Sequence, residues 1–254
     1  MLFLNNLNTK ANNNYFSRYE IKYVLKKNIS EEIKKQIKLF MNYDGNIDEK
    51  TSENYFVRSL YFENKFFLNF NDKVDGLKKR YKFRIRTYSK KFNDDSIFFL
   101  EQKGRYNKRT YKKRIRIDQS DLINFCSLKN LYEIKKKYKD NELIENFIFD
   151  IYKKKMFPTV IVDYNRSPFI NSHGLYFRLT FDGDIYASKS NSLFGQFNNK
   201  SCIPGYEILE VKFDNTIPPW FQKVIQLFQL KTVSISKFVL GIEGTGLAYD
   251  YEGR

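Results

Sequence analysis

The chain of 254 residues is poor in the residues that build metal clusters and disulfide scaffolds. It has two cysteines (Cys126 and Cys202), one histidine (His173), one tryptophan and five prolines. That inventory excludes a zinc finger or a His-rich metal centre, which draws on about four Cys and His ligands. Two thiols in a chain this long read as reduced cysteines, not as a disulfide framework. No apolar run approaches the roughly 20 residues that a membrane-spanning helix needs, and residues 1–4, MLFL, are too short for a signal-peptide core. The expectation is a cytoplasmic protein whose basic surface could still dock on a membrane partner. Acidic residues are also in deficit: 29 Asp and Glu stand against 45 Lys and Arg, a net charge of +16. Such an excess calls for an anionic partner. The richness in Lys, Asn, Ile, Phe and Tyr matches an AT-rich coding bias, so the arginines carry more of this argument than the lysines. No internal repeat or linker-like stretch divides the chain. The expectation is one domain over residues 16–254, preceded by an Asn-rich mobile tail over residues 1–15.

What the chain has in abundance is aromatic residues, 25 Phe and 19 Tyr, arranged in alternation. In KRYKFRIRTYSK (79–90), Arg80, Lys82, Arg84 and Arg86 alternate with Tyr81, Phe83 and Ile85. Side chains on a strand point to opposite faces in turn, so this is a strand with one apolar and one cationic face. A helix would scatter the four cations around its circumference. The pattern recurs in RYEIKYVL (18–25), NYFVRSLYFEN (54–64), SIFFLEQKG (96–104), KRTYKKRIRI (108–117), LYFRLTFDGD (175–184) and YEILEVKFD (206–214), while PTVIVDYNR (158–166) reads as a buried strand. Helices are expected at 30–41, capped by Ser30, across about 119–154 with Leu143, Phe147 and Ile151 on one face, and after Pro218 and Pro219. His173, beside Gly174, reads as a loop residue.

About eight antiparallel strands therefore share one design within an α+β chain. Two architectures satisfy it. The polar faces can turn to water over a helix layer, or a closed eight-stranded antiparallel β-barrel can point them into a tunnel with helices packed outside. Carboxylates lie two residues from cations in Glu20–Lys22, Glu101–Lys103 and Glu210–Lys212. Inside a tunnel such a set would suit phosphate oxygens and a divalent cation.

The ordered motifs RYEIKYVL, VRSLYFEN, KFRIRTYS, FLEQKG, FRLTFDGDI, ILEVKF and SISKFVLGIE, across roughly 18–243, resemble the VTC domain. This is the polyphosphate polymerase module of the vacuolar transporter chaperone complex and its single-domain bacterial relatives, within the triphosphate tunnel metalloenzyme superfamily. The resemblance implies the closed tunnel barrel, ATP and inorganic polyphosphate as partners, and Mn²⁺ or Mg²⁺ as cofactor. It implies catalytic roles on phosphate for Lys22, Arg84, Arg86, Lys103, Arg178 and Lys237. It implies substrate contacts for Arg58, Arg116, Lys212 and Ser236, and metal binding for Glu210 with Glu20. Superfamily hydrolases usually begin with E-x-E-x-K, whereas this chain has Arg18, Glu20 and Lys22, which favours polymerisation over hydrolysis. A triphosphate hydrolase of the same fold and a non-catalytic polyphosphate sensor or scaffold remain the alternatives. No DNA-binding motif or glycine-rich RNA-binding strand is present, so sequence-specific nucleic-acid binding is not expected.

Overall fold

The computed structural model describes residues 18–44, 54–107, 109–172, 174 and 176–248; the expected N-terminal tail and His173 lie outside them. In chain order the elements are β1 (Tyr19–Lys26), α1 (Lys27–Ile37), β2 (Met41–Tyr43), β3 (Tyr55–Glu63), α2 (Leu68–Val74), β4 (Lys79–Thr87), β5 (Phe98–Tyr106) and β6 (Arg109–Ile117). Then follow α3 (Leu122–Ser127), α4 (Leu131–Lys137), α5 (Glu142–Lys154), β7 (Phe157–Asn171), β8 (Phe177–Lys189), β9 (Lys200–Ser201), β10 (Tyr206–Phe213), α6 (Pro219–Leu227) and α7 (Lys237–Gly244).

The alternating stretches all form strands, and the strands form one antiparallel sheet in the order β1-β10-β8-β7-β3-β4-β5-β6, with β2 added to β7 and β9 to β8. The expected closed barrel needs correcting at its seam. Among the described residues, β1 and β6 share no ladder. They meet at one antiparallel bridge, Arg18 to Thr110, and an ion pair from Lys103 on β5 to Glu20 on β1 spans the gap at 3.2 Å.

The apolar faces are buried in three clusters. Phe83, Ile85 and Leu100 pack outward against Phe125 and Phe147 of the α3–α5 layer. Leu179, Leu209 and Val211 pack against Ile33 and Ile37 of α1 and Phe221 of α6. The third cluster lies on the concave side, where Phe238 and Ile242 of α7 meet Val162, Tyr61 and Ala187. Helix α7 thus fills part of the barrel interior. A Cβ at Gly241 would lie 2.7 Å from Val162 Cγ2, so the glycine permits this close approach.

Three helix expectations change. Helix α1 starts at Lys27, and Ser30 is a buried interior residue whose hydroxyl donates to Glu207 Oε2 instead of capping. It stops at Ile37 because Met41 pairs with Asn171 as a strand. The stretch 119–154 is three helices, broken where Leu128, Asn130 and Asp140 take positive φ. Asn141 caps the last of these by accepting from the Leu143 and Ile144 N–H groups. Among the described residues no helix is long and apolar enough to cross a membrane.

Candidate active site

Alternation on a curled sheet sends one side chain in two toward the centre. The concave face carries Glu20 and Lys22 from β1, Glu210 and Lys212 from β10, and Arg178 and Asp182 from β8. The opposing wall carries Lys82, Arg84 and Arg86 from β4, Glu101 and Lys103 from β5, and Lys112 and Arg114 from β6. Register aligns them: Lys22 opposes Glu210, Lys212 opposes both Glu20 and Arg178, and Arg84 opposes Glu101. Apart from Asp182 and Glu101, which are fully buried, they surround a cavity of about 1000 Å³.

Every interior carboxylate of this set holds cations. Lys22 Nζ lies 3.3 Å from Glu20 and 3.4 Å from Glu210. Lys237, the first residue of α7, donates to Glu210 Oε1 at 2.9 Å and also pairs with Asp182. Arg166 grips Asp182 with two bonds, at 2.6 and 2.7 Å. On the opposite wall Arg84 donates to Glu101 at 2.8 Å and to the Tyr61 hydroxyl at 3.0 Å, while Arg86 reaches the Tyr164 hydroxyl at 3.1 Å.

These pairings set the protonation states. Burial would raise the Glu20 carboxyl, but Lys103 and Lys22 hold it far below the usual range. Burial likewise opposes ionisation of Glu210, and Lys237 and Lys22 overcome it. The Lys237 ammonium is raised above the lysine range by Asp182 and Glu210 against its own burial. Burial pushes Lys103 down to about 8, with Glu20 offsetting part of the effect, and pushes Lys112 down to about 7.

The structure brings together Lys22, Arg84, Arg86, Lys103, Lys237, Glu20 and Glu210, with Lys212 3.6 Å from Glu210 Oε2. Ser236 precedes Lys237 and accepts from Lys82 at 3.2 Å. Arg178 borders the cavity and pairs with Asp44 at 2.9 Å; its Nε and the Thr180 hydroxyl are buried without a hydrogen-bond partner. Two expected residues are placed elsewhere. Arg58 points to the convex side, doubly bonded to Asp163 at 2.6 and 2.8 Å and to the Lys90 and Leu193 carbonyls, so its charge is spent on packing. Arg116 shares the face of Arg114 but is exposed at the strand end and does not border the cavity.

Sequence reading passed over Arg166 and Asp182 as site groups, and offered Glu101 only as a tunnel carboxylate beside Lys103. The signal for Asp182 and Glu101 was their place in the same alternation as Arg178 and Lys103. Arg166 had none beyond its step of two from Tyr164. Glu20 and Glu210 both reach the Lys22 ammonium, so this position already accepts a cation. Two carboxylates suit a hard divalent ion that completes its shell with phosphate oxygens and water. Among the described residues no three Asp, Glu, His or Cys groups gather as a metal cluster.

The profile of the VTC domain matches residues 17–245. The chain belongs to the VTC domain family. Its fold is that of the triphosphate tunnel proteins. A candidate adenylate cyclase from Bacillus halodurans is similar over 87% of this VTC chain and 94% of its own, with a TM-score of 0.50 at 14% identity. A candidate adenylyl cyclase from Hippeastrum, described with a dominant triphosphatase activity, matches over 90% and 96% with a TM-score of 0.48 at 14% identity. No curated protein matches the sequence significantly.

Proposed function

We propose that this VTC domain is a polyphosphate polymerase, transferring the γ-phosphate of ATP to the end of an inorganic polyphosphate chain within the cavity. The observation that carries the reading is a site dense in cations whose carboxylates are all committed to them. A hydrolase must position and activate water, and Glu20 and Glu210, held far below the usual carboxylate range, are poor bases for that step. Arg18, which stands where a hydrolase usually has a first glutamate, pairs with Asp214 at 3.2 Å and covers the Tyr176 ring. A polyphosphate end is already an anion and needs no base.

In this reading Lys22, Arg84, Arg86, Lys103, Lys237 and Arg178 neutralise the phosphates and hold donor and acceptor in line. An oxygen of the terminal phosphate attacks the γ-phosphorus. The bond from that phosphorus to the β–γ bridging oxygen breaks, and ADP leaves with the electron pair. Lys212 and Ser236 supply further phosphate contacts. Glu210 and Glu20 would hold Mn²⁺ or Mg²⁺, which supplies further charge neutralisation at the triphosphate when bound. As phosphate arrives, its oxygens replace carboxylates as partners of Lys22 and Arg84.

The test is incubation with ATP and Mn²⁺, with and without a short polyphosphate primer, beside Glu210→Gln checked for folding by circular dichroism. A ladder of lengthening polyphosphate in the parent, reduced at least about 100-fold in the variant, is the expected result. Orthophosphate without a ladder would instead identify a hydrolase, and binding without turnover a sensor.

A further inference from the structure

The cations of the concave face fall into two groups. Those at the centre each have a carboxylate partner. Those toward α2 do not: Lys73 Nζ donates to Ser234 Oγ at 2.8 Å, and Lys82 Nζ donates to Ser236 Oγ and lies 4.7 Å from the Phe238 ring. Arg80 donates to the Leu77 carbonyl and Arg105 to the Asn107 carbonyl at 2.8 Å. Among the described residues no carboxylate forms an ion pair with any of these four. Burial and mutual repulsion lower the affinity of Lys73, Arg80 and Lys82 for their protons. Lys82 is the buried member, and a buried charge without a carboxylate partner is costly unless an anion supplies one; Lys73, Arg80 and Arg105 open toward solvent, with Asp72 attracting Arg80.

Three of the group also stand where two cavities share their lining. A second cavity, of about 1230 Å³, lies between α2, the β5–β6 turn and the outer side of α7. It shares Lys73, Arg80, Arg105 and the 233–236 segment with the central cavity. With α7 filling part of the barrel interior, the two spaces adjoin at these shared residues. The 233–236 segment lines both, tied to β1 by the Val233 N–H on the Lys22 carbonyl at 2.8 Å.

We infer that Lys73, Arg80, Lys82 and Arg105, with the hydroxyls of Ser234 and Ser236, form a second oligophosphate-binding station that holds phosphates of the polymer beyond those in the central cavity. The inference rests on the proposed use of polyphosphate, and it names the mouth the chain occupies. Successive phosphates on a flexible chain match a row of unpaired ammonium and guanidinium groups flanked by hydroxyl donors. Central binding then serves three phosphates, and the station adds affinity only for longer chains, as a second site on one ligand does.

The test is calorimetric binding of tripolyphosphate and of a polyphosphate of about 25 phosphates to the parent and to Lys73→Gln/Arg80→Gln, with no nucleotide present. The expected result is a loss of about tenfold or more for the long chain, a change within about threefold for tripolyphosphate, and a shallower salt dependence for the long chain alone. Tripolyphosphate binding also reports that the variant is folded; if it is lost, Arg105→Gln, at the outer end of the station, is measured in its place under the same criterion. Equal losses for both ligands, no loss for either, or a parent that binds both equally would overturn the station. Single-stranded DNA of matched charge competing as well as polyphosphate would overturn the phosphate-chain assignment. The test needs no turnover, so a chain that makes no polymer but shows this length-dependent loss retains the station and loses only the polymerase reading.

Discussion

At Lys22 an ammonium group sits between two carboxylates, and at Lys103 another is so desolvated that it holds its proton only to about 8 against the ordinary 10.5. The folded chain therefore binds fewer protons than the unfolded chain between these values. By linkage, the Lys103 contribution to stability improves as pH rises through that window. Anion binding moves the other way, because a neutral amine no longer attracts phosphate. Tripolyphosphate affinity is expected to fall as pH climbs through about 8, and Lys103→Arg, which stays charged, should abolish that step. Calorimetric titrations from pH 6.5 to about 9.5 would show it; a step unchanged in the arginine variant would clear Lys103 of the role. Lys112 adds an earlier step near 7 that the substitution leaves in place. That Lys22, Arg84, Arg86, Lys103 and Glu210 share one face was legible from alternation, while their roles came from the resemblance. The substrate contact that the resemblance implied for Arg58 does not match its place: Val57 and Ser59 share the concave face, and Arg58 between them turns to the convex side.

Helix α7 shows what an element contributes. Its first residue, Lys237, reaches Glu210 and Asp182, while Phe238 meets Tyr61 with ring centroids 5.2 Å apart. The helix can hold this position because Gly241 brings no side chain against Val162, Val160 and Ala187. Gly241→Ala should push α7 off the sheet, destabilise the fold by about 1–3 kcal/mol and displace Lys237. The expected outcome is a lower Tm together with weaker tripolyphosphate binding; a normal Tm would show that Val162 yields. The helix was not foreseen, because a strand-like SIS precedes it and its eight residues show too little periodicity. The same limit merged α3, α4 and α5 into one expected helix, since no proline or glycine separates them and left-handed Leu128, Asn130 and Asp140 make the breaks. Ser30 looked like a cap from its neighbours Glu31 and Glu32. Its true partner, Glu207, is 177 residues away.

For the whole molecule the chain carries an excess of 16 positive charges, the concave face gathers more cations than carboxylates, and a bound polyanion should relieve their repulsion. Tripolyphosphate at about 100 times its Kd should add roughly 2.7 kcal/mol, or about 5–10 °C in Tm. Thermal scans with sulfate at equal ionic strength as the control would check this, and an equal rise with both salts would reduce the effect to screening. The sequence by itself determined the strands, the shared face of the alternating cations such as Arg84 and Arg86, and the family, because a period of two and an ordered set of motifs are local properties. The tertiary structure alone decided that, among the described residues, the seam between β1 and β6 lacks a ladder, that Arg166 and Asp182 join the centre, and that α7 occupies the interior. It also decided which cations are paired and which are not. Those outcomes depend on curvature and on partners tens to hundreds of residues apart, and distance along the chain carries no record of either.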